Sequence, residues 1–338
     1  MGLENLPLVR LRFEVEALEE TAVPMFKGDM LRQALLWWLS EAWCVQGRCR
    51  QGCQAPDRCL FGRLCDPPLD PDWPPHLRRL MGDSAPPAYT LWDEGDRRTR
   101  LWPGARWAFE VGLVGELALD QLGDIIGALA EGAERGLGRL KLRNRVRRVI
   151  ALTGSPLAPA VERVLAERGA DDRAGLRRLA FRRAEIVTTY GEAEAWTADL
   201  GGAAQAVMLR FHSPTKIKER GEDVELPSLS AVMRAVVRRL RLTSWVYGGE
   251  EWPQSAYGPL LDLAETAATG FHEVQWLGYL RESQRSGVHP VEGFIGPIWY
   301  AGEDLRPLLP ALWLGQWLHI GKFYVVGNGR YTVERVYW

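Results

Sequence analysis

Residues 6–16 (LPLVRLRFEVE) alternate apolar and polar, and Leu8, Leu11, Phe13 and Val15 form the apolar set of a half-buried strand. At 30–43 the period lengthens. Leu31, Ala34, Leu35, Trp38, Leu39 and Ala42 recur at helical spacing, and Asp29 is the expected N-cap. Residues 66–90, rich in Pro and Asp, read as a surface connection, with a short strand at 88–92. A turn at Pro103-Gly104 leads to a second alternating strand, 105–115. Residues 120–134 predict a helix with Leu122, Ile125, Ile126 and Leu129 as its core stripe. Gly136-Leu137-Gly138-Arg139 then opens a basic strand, KLRNRVRRVIAL. Strand, helix, strands, helix, strand is the order of a ferredoxin-like, RRM-like unit.

Residues 153–204 mix Pro, Gly, Ala and charge; they read as a connecting segment with a helix at 158–168. From 205 the pattern starts again. Val207, Leu209 and Phe211 share a strand face that runs into His212-Ser213-Pro214-Thr215-Lys216-Ile217-Lys218. Residues 230–247 predict a strong helix, with Arg234, Arg238 and Arg241 along one stripe, and 256–268 predict another. A strand at 294–300 precedes a helical run at 305–318, with Pro307 and Pro310 in its first turn. His319-Ile320-Gly321-Lys322, the apolar tetrad 323–326 and Gly327-Asn328-Gly329-Arg330-Tyr331 follow. The predicted class is α+β, with tandem ferredoxin-like domains at 1–152 and 205–338 and a Cys-rich insertion at 44–65 in the first.

Charge changes this picture more than composition does. The net charge of −1 excludes an all-over basic coat but not a local one. On the strand after the first Gly pair, Arg139, Lys141, Arg143, Arg145 and Arg147 alternate and so project from one face. Five cations on one strand face repel one another, and a polyanion is their natural partner. No apolar run approaches a membrane span and no signal peptide opens the chain, so a cytoplasmic location is expected. Five cysteines fall between 44 and 65 with spacing C-x4-C-x3-C-x5-C-x5-C. Four thiolates, Cys44, Cys49, Cys53 and Cys59, can hold a structural zinc; reduced structural thiols are the alternative.

The order of the terminal parts, a strand, a Gly, a helix, His-x-Gly-Lys, an apolar tetrad and Gly-x-Gly-Arg-Tyr, closely resembles the C-terminal signature of the CRISPR repeat-associated (RAMP) proteins. Within these the chain is most similar to the CRISPR-associated endoribonuclease six family. The strand ending in Pro214-Thr215-x-x-Lys218 resembles the opening of that family's second domain. Phe26-Lys27-Gly28-Asp29-Met30-Leu31-Arg32 resembles the segment opening its first helix, and Phe61-Gly62-Arg63-Leu64-Cys65 the segment after its Cys-rich insert. The resemblance implies a sequence-specific, metal-independent endoribonuclease that cuts CRISPR repeat RNA in the precursor by 2′-hydroxyl attack. The product is a guide RNA ending in a 2′,3′-cyclic phosphate, held along a basic cleft. The alternative is a non-catalytic RAMP subunit that binds guide RNA beside other CRISPR effector subunits.

Such cleavage needs a base, an acid and positive charge near the phosphorane. His319 lies beside the Gly-Lys turn with Lys322 three residues on, and is the first choice for proton transfer; capping of the preceding helix is its bland role. His212 is the second choice. A Gly-rich loop can cradle phosphate through its N–H groups, which points to Gly321, Gly327, Gly329 and Arg330. Arg32, Lys216, Lys218, Arg234, Arg238 and Arg241 complete the expected RNA contacts, with Lys27 in reserve. Related sequences commonly place a catalytic His in or just after the first helix, whereas 29–65 here contains none. That departure favours the non-catalytic alternative.

Overall fold

A computed structural model describes residues 2–44, 59–81, 84–137, 141–155, 157–169, 175–283 and 287–338. The chain forms two compact units, one of 7–153 with 161–187 and the other of 1–6, 154–160 and 188–338.

In the first unit β1 (Leu8–Ala17) and α1 (Gly28–Trp43) are followed by β2 (Tyr89–Trp92), β3 (Arg106–Val114), α2 (Leu122–Arg135), β4 (Asn144–Thr153) and β5 (Val161–Glu167). The sheet runs β2-β3-β1-β4-β5, all neighbours antiparallel, with Arg177–Arg178 at its edge and Val187–Thr188 beside β1. The alternation seen in the sequence decides the faces. Leu11, Phe13 and Val15 are buried and meet Phe109, Val111 and Val149 from β3 and β4. Phe13 and Phe109 stack at 5.0 Å. Leu35 and Leu39 of α1 and Ile125, Ile126 and Leu129 of α2 are buried with them.

The second unit holds α3 (Tyr190–Ala198), β6 (Ala206–Thr215), α4 (Leu229–Thr243), α5 (Gln254–Thr266), β7 (Ala268–His272), β8 (Gln275–Ser283), β9 (Gly287–Ala301), α6 (Leu309–Leu318) and β10 (Tyr331–Tyr337). Its sheet runs β7-β9-β6-β10, again antiparallel, with β8 continuing the pairing along β9. This is the same strand order as β2-β3-β1-β4, so each unit is ferredoxin-like. Every residue of α6 is buried, which explains why that helix shows no polar face in the sequence. Tyr331 closes the core by donating its hydroxyl to the Leu312 carbonyl at 2.6 Å. Among the described residues no helix is long and apolar enough to cross a membrane.

The structure departs from the sequence expectations in three places. The predicted helix at 158–168 is the strand β5, whose Val-Glu-Arg-Val-Leu-Ala-Glu pattern pairs with β4. Residues 153–204 divide between the units: 161–187 goes with the first, where Val161–Glu167 and Arg177–Arg178 add strands to the sheet, and 154–160 and 188–204 go with the second. Asp29 sits in the first turn of α1, bonded to Gln33 at 2.7 Å, and the N-cap is Lys27. The apolar tetrad 323–326 contains a tight 3-10 turn, Tyr324–Val326.

Candidate nucleic-acid interface

The Gly-rich loop is folded against its own unit. His319 ends α6 at φ 57°, and Ile320 donates its N–H to Gly329 at 3.1 Å. Gly329 has φ 71°, and a Cβ there would run into the Ile320 carbonyl; Gly321 has φ 78° and is pressed in the same way against Lys216. Both glycines are thus required by close backbone approach. Two of the loop N–H groups expected to face a phosphate are spent internally: Gly327 donates to Tyr324 and Gly329 to Pro214.

Two residues of the signature point inward. Arg330 is 3% exposed; its guanidinium donates to the carbonyls of Gln316 and Tyr331, and its N–H to the Ser213 hydroxyl. It braces the loop and is not an RNA contact on this surface. His319 is 2% exposed. An enclosed imidazole is out of reach of a ribose, so the first-choice catalytic assignment is corrected to a structural one. His212, the second choice, is half-buried on the face of β6 opposite the core, with Nε2 2.8 Å from the Thr332 hydroxyl.

The lysines fare differently. Lys216 Nζ lies 3.0 Å from Asp223 and 2.9 Å from Glu292, which raise its pKa, and 5.9 Å from the Trp276 ring. The Lys216 hydrogen bond holds Asp223 below the usual carboxylate range, helped by the charges of Lys216, Lys322 and Lys218. Lys216 thus pairs with Asp223, Lys218 stands opposite it in the short hairpin Lys218–Asp223, and the charge of Lys322 reaches the same carboxylate. Lys218 and Lys322 are exposed, and the Lys322 N–H donates to the Lys216 carbonyl at 3.0 Å. The three lysines share Asp223 and Glu292 beside an exposed Trp276, and the same hairpin adds Arg220, Glu219 and Glu222, so the patch is dense in cations without a net positive charge.

The remaining arginines are mostly committed to carboxylates or to protein. Arg234 pairs with Glu265, and Arg241 bonds Glu251 at 3.0 Å and lies over the Tyr257 ring; Arg238 is exposed. Arg239, which no local pattern singles out, is buried: it donates to the Leu318 carbonyl and covers the Tyr324 ring at 3.9 Å. On β4 the expected repulsion is relieved by acids on β1. Arg147 meets Glu16 at 2.8 Å and Arg148 meets Glu14 at 3.4 Å across the sheet. Arg143 donates to the Glu134 carbonyl, Lys141 is exposed at φ 50°, Arg145 is half-buried, and Arg139 lies outside the described residues. A groove of about 750 Å³ opens on this sheet face, where Arg12, Arg106, Arg147 and Arg148 alternate with Glu14 and Glu94.

At the start of α1, Lys27 is fully buried and donates to the Asp96 and Arg98 carbonyls at 2.6 and 2.9 Å, so it is no reserve of surface charge. Burial lowers its pKa, with Asp96 and Asp93 opposing. Arg32 is half-buried, with its charge felt at the buried Cys65 thiol, whose pKa burial nevertheless raises. Cys49 and Cys53 lie outside the described residues. Cys59 is buried with Sγ 3.5 Å from the Trp43 carbonyl, and Cys44 is half-buried. Among the described residues no three Cys, His, Asp or Glu converge as metal ligands.

Comparison with known proteins adds to this geometry. The chain is similar in structure to Thermus thermophilus Cas6 (TTHB231), with TM-score 0.51 at 14% identity over 97% of this chain and 98% of that one. A Cas6 (TTHA0078) product complex gives TM-score 0.52 at 20% identity, over 96% of this chain and all of that one. A partial Cas6-RT-Cas1–Cas2 complex gives 0.57 at 12%, over 99% of this chain and 47% of that one. At these identities the likeness shows the fold. No curated protein matches the sequence. A family model described as an N-terminal domain (AF_1859_N) matches residues 6–171. The model described as CRISPR-associated endoribonuclease Cas6 matches residues 209–331, the stretch that holds the lysine cluster and the Gly-rich loop. On that match residues 209–331 resemble the CRISPR-associated endoribonuclease Cas6 family, and the chain shares its fold of two ferredoxin-like units with solved Cas6 structures.

Proposed function

We propose that this chain is an RNA endonuclease that binds the CRISPR repeat in a precursor transcript and cuts it to guide RNA without a metal ion. The ribose 2′-hydroxyl next to the scissile phosphate loses its proton to a base and attacks phosphorus. The bond to the 5′-oxygen breaks, an acid protonates that oxygen, and a 2′,3′-cyclic phosphate remains. The observation that carries this reading is the lysine cluster, Lys216, Lys218 and Lys322, inside the residues that match the Cas6 family. Their charge suits the phosphodiester and the phosphorane formed from it. Proton transfer falls to His212, the histidine of the two candidates whose ring is not enclosed.

One observation favours the non-catalytic reading, in which the chain grips guide RNA as a RAMP subunit. The first helix and its insert carry no histidine, and His319 is enclosed. Incubation with end-labelled repeat RNA in EDTA separates the two. A cut at one position, slowed roughly a hundredfold in His212→Ala with repeat affinity kept, supports the nuclease. A gel shift with no cut at any pH from about 6 to about 8 supports the subunit and removes His212 from a catalytic role.

A further inference from the structure

The face of the β7-β9-β6-β10 sheet opposite the core is aromatic. Val207, Leu209 and Phe211 point into the core, so Ala206, Met208, Arg210 and His212 point the other way. Trp299 on β9 lies opposite Met208, and Tyr337 and Arg335 on β10 lie opposite Ala206 and Met208. Phe271 on the edge strand β7 packs edge-on against Trp299 at 5.5 Å. Arg335 and Trp299 are both close enough to Tyr337 to lower its pKa, Arg335 first. Phe271, Trp299 and Tyr337 thus form one row across the sheet, with Phe271 and Trp299 in ring contact and Tyr337 on the far strand.

This row faces water. Phe271 is 62% exposed and Tyr337 40%, whereas Tyr300, one residue from Trp299, is fully buried on the core face. Scattered apolar residues on a surface are ordinary, but a row of rings on a sheet is a binding platform in waiting. Its chemistry selects the partner. Arg335 and Arg210 flank the rings, and the one carboxylate paired there, Glu334, is 2.6 Å from Arg210. Flat rings beside guanidinium groups match an anion that carries its own flat rings. Every base offers such a face, so the fit needs no particular sequence.

We infer that this sheet face holds unpaired nucleotides of RNA, with a base stacked on Phe271 and another on Tyr337 and Trp299, and the sugar-phosphate backbone passing Arg335 and Arg210. The inference rests on the reading of the chain as a repeat-RNA binder and adds where single-stranded RNA lies. It also places that strand on the face that carries His212, so a nucleotide leaving the platform along β6 meets the imidazole.

The test uses the full chain and a fluorescein-labelled ten-nucleotide uridine oligomer, with Kd measured by anisotropy over a salt series. Stacking makes no counterion release, whereas a guanidinium–phosphate contact does. Phe271→Ala is expected to raise Kd about tenfold or more with no change in salt slope, and Phe271→Tyr to restore it. Arg335→Gln is expected to flatten the slope. Because Phe271 is exposed on an edge strand, its replacement leaves the core alone, and an unchanged melting curve checks this. Equal Kd for parent and Phe271→Ala overturns the inference, as does a dimer that dissociates in Phe271→Ala, which would make a second copy the occupant. Oligomer binding needs no cleavage, so a chain that binds here but cuts nothing sinks the nuclease reading alone.

Discussion

The two sheets have the same strand order and opposite outer faces. On β1-β3-β4 of the first unit the outer face is ionic, with Arg10 on Glu110, Arg12 on Glu94, Arg147 on Glu16 and Arg148 on Glu14. On the second sheet the corresponding face carries Phe271, Trp299, Met208 and Tyr337. A duplicated topology fixes where side chains project but not what they are. On the first sheet each guanidinium already has a carboxylate within about a hydrogen bond's length, so RNA must compete for it. On the second unit the lysines sit at the rim, where Lys216, Lys218 and Lys322 share Asp223 and Glu292 and two of the three, Lys218 and Lys322, are exposed. The comparison predicts that RNA affinity is carried by the second unit and that the first unit's arginines serve mainly its own sheet.

The largest expected effect breaks the second unit's surface from beneath. Arg330→Met removes the donor to the Gln316 and Tyr331 carbonyls and leaves two buried acceptors unpaired. The expected cost is about 3 kcal/mol of unfolding free energy, read from a urea titration. Repeat-RNA binding should fall with it, because the loop that carries Lys322 is no longer braced. A variant as stable as the parent but weaker for RNA would return Arg330 to the list of direct contacts.

Next comes the contrast itself. Lys216→Ala with Lys322→Ala should weaken repeat-RNA binding at least tenfold and reduce the salt slope by roughly one to two. Arg147→Ala with Arg148→Ala removes the same formal charge from the first sheet, yet should leave the slope nearly unchanged, because Glu16 and Glu14 are freed at the same time. Equal losses of slope from the two double variants would show that both faces hold phosphate, and the comparison would fail.

How much of this could be read from the sequence depends on range. The amphipathic helices α2 and α4 were legible because their signal is local: one apolar stripe against one polar face. The strand β5 was not, since Val161 to Glu167 fits a helical period nearly as well and only pairing with β4 decides. In the site, the motif marked His319, Gly321, Lys322 and Arg330 as important, but a motif does not say which side of a loop faces water. Lys322 is exposed and Arg330, eight positions on in the same signature, is enclosed. Lys27 and Arg239 are buried by partners far along the chain, Asp96 and Leu318, that no local pattern names. The aromatic face did leave a trace. Residues 294–300, FIGPIWY, are apolar on both faces of one strand, whereas a strand with a solvated outer face should alternate.

The smallest effect probes how crowded the ionic face is. Glu94, held beside Arg12 at 2.8 Å in a left-handed turn after β2, has its pKa raised to about 7, first by burial and then by the nearby Glu110, with Arg12 opposing. An ordinary glutamate titrates at 4.5. The folded state therefore holds this proton more tightly than the unfolded state, and ionising Glu94 lowers stability. The deficit is absent below about pH 4.5, grows as pH rises to about 7 and is full above that. Glu94→Gln removes the titration along with the Arg12 pair, so the informative quantity is the change with pH and not the offset. The melting temperature of the variant minus that of the parent should increase by a few degrees between about pH 5 and about pH 8. A constant difference would mean that Arg12 fully compensates Glu94, and that the first sheet's outer face is a relaxed ion-pair network with no unfavourable carboxylate for an incoming phosphate to exploit.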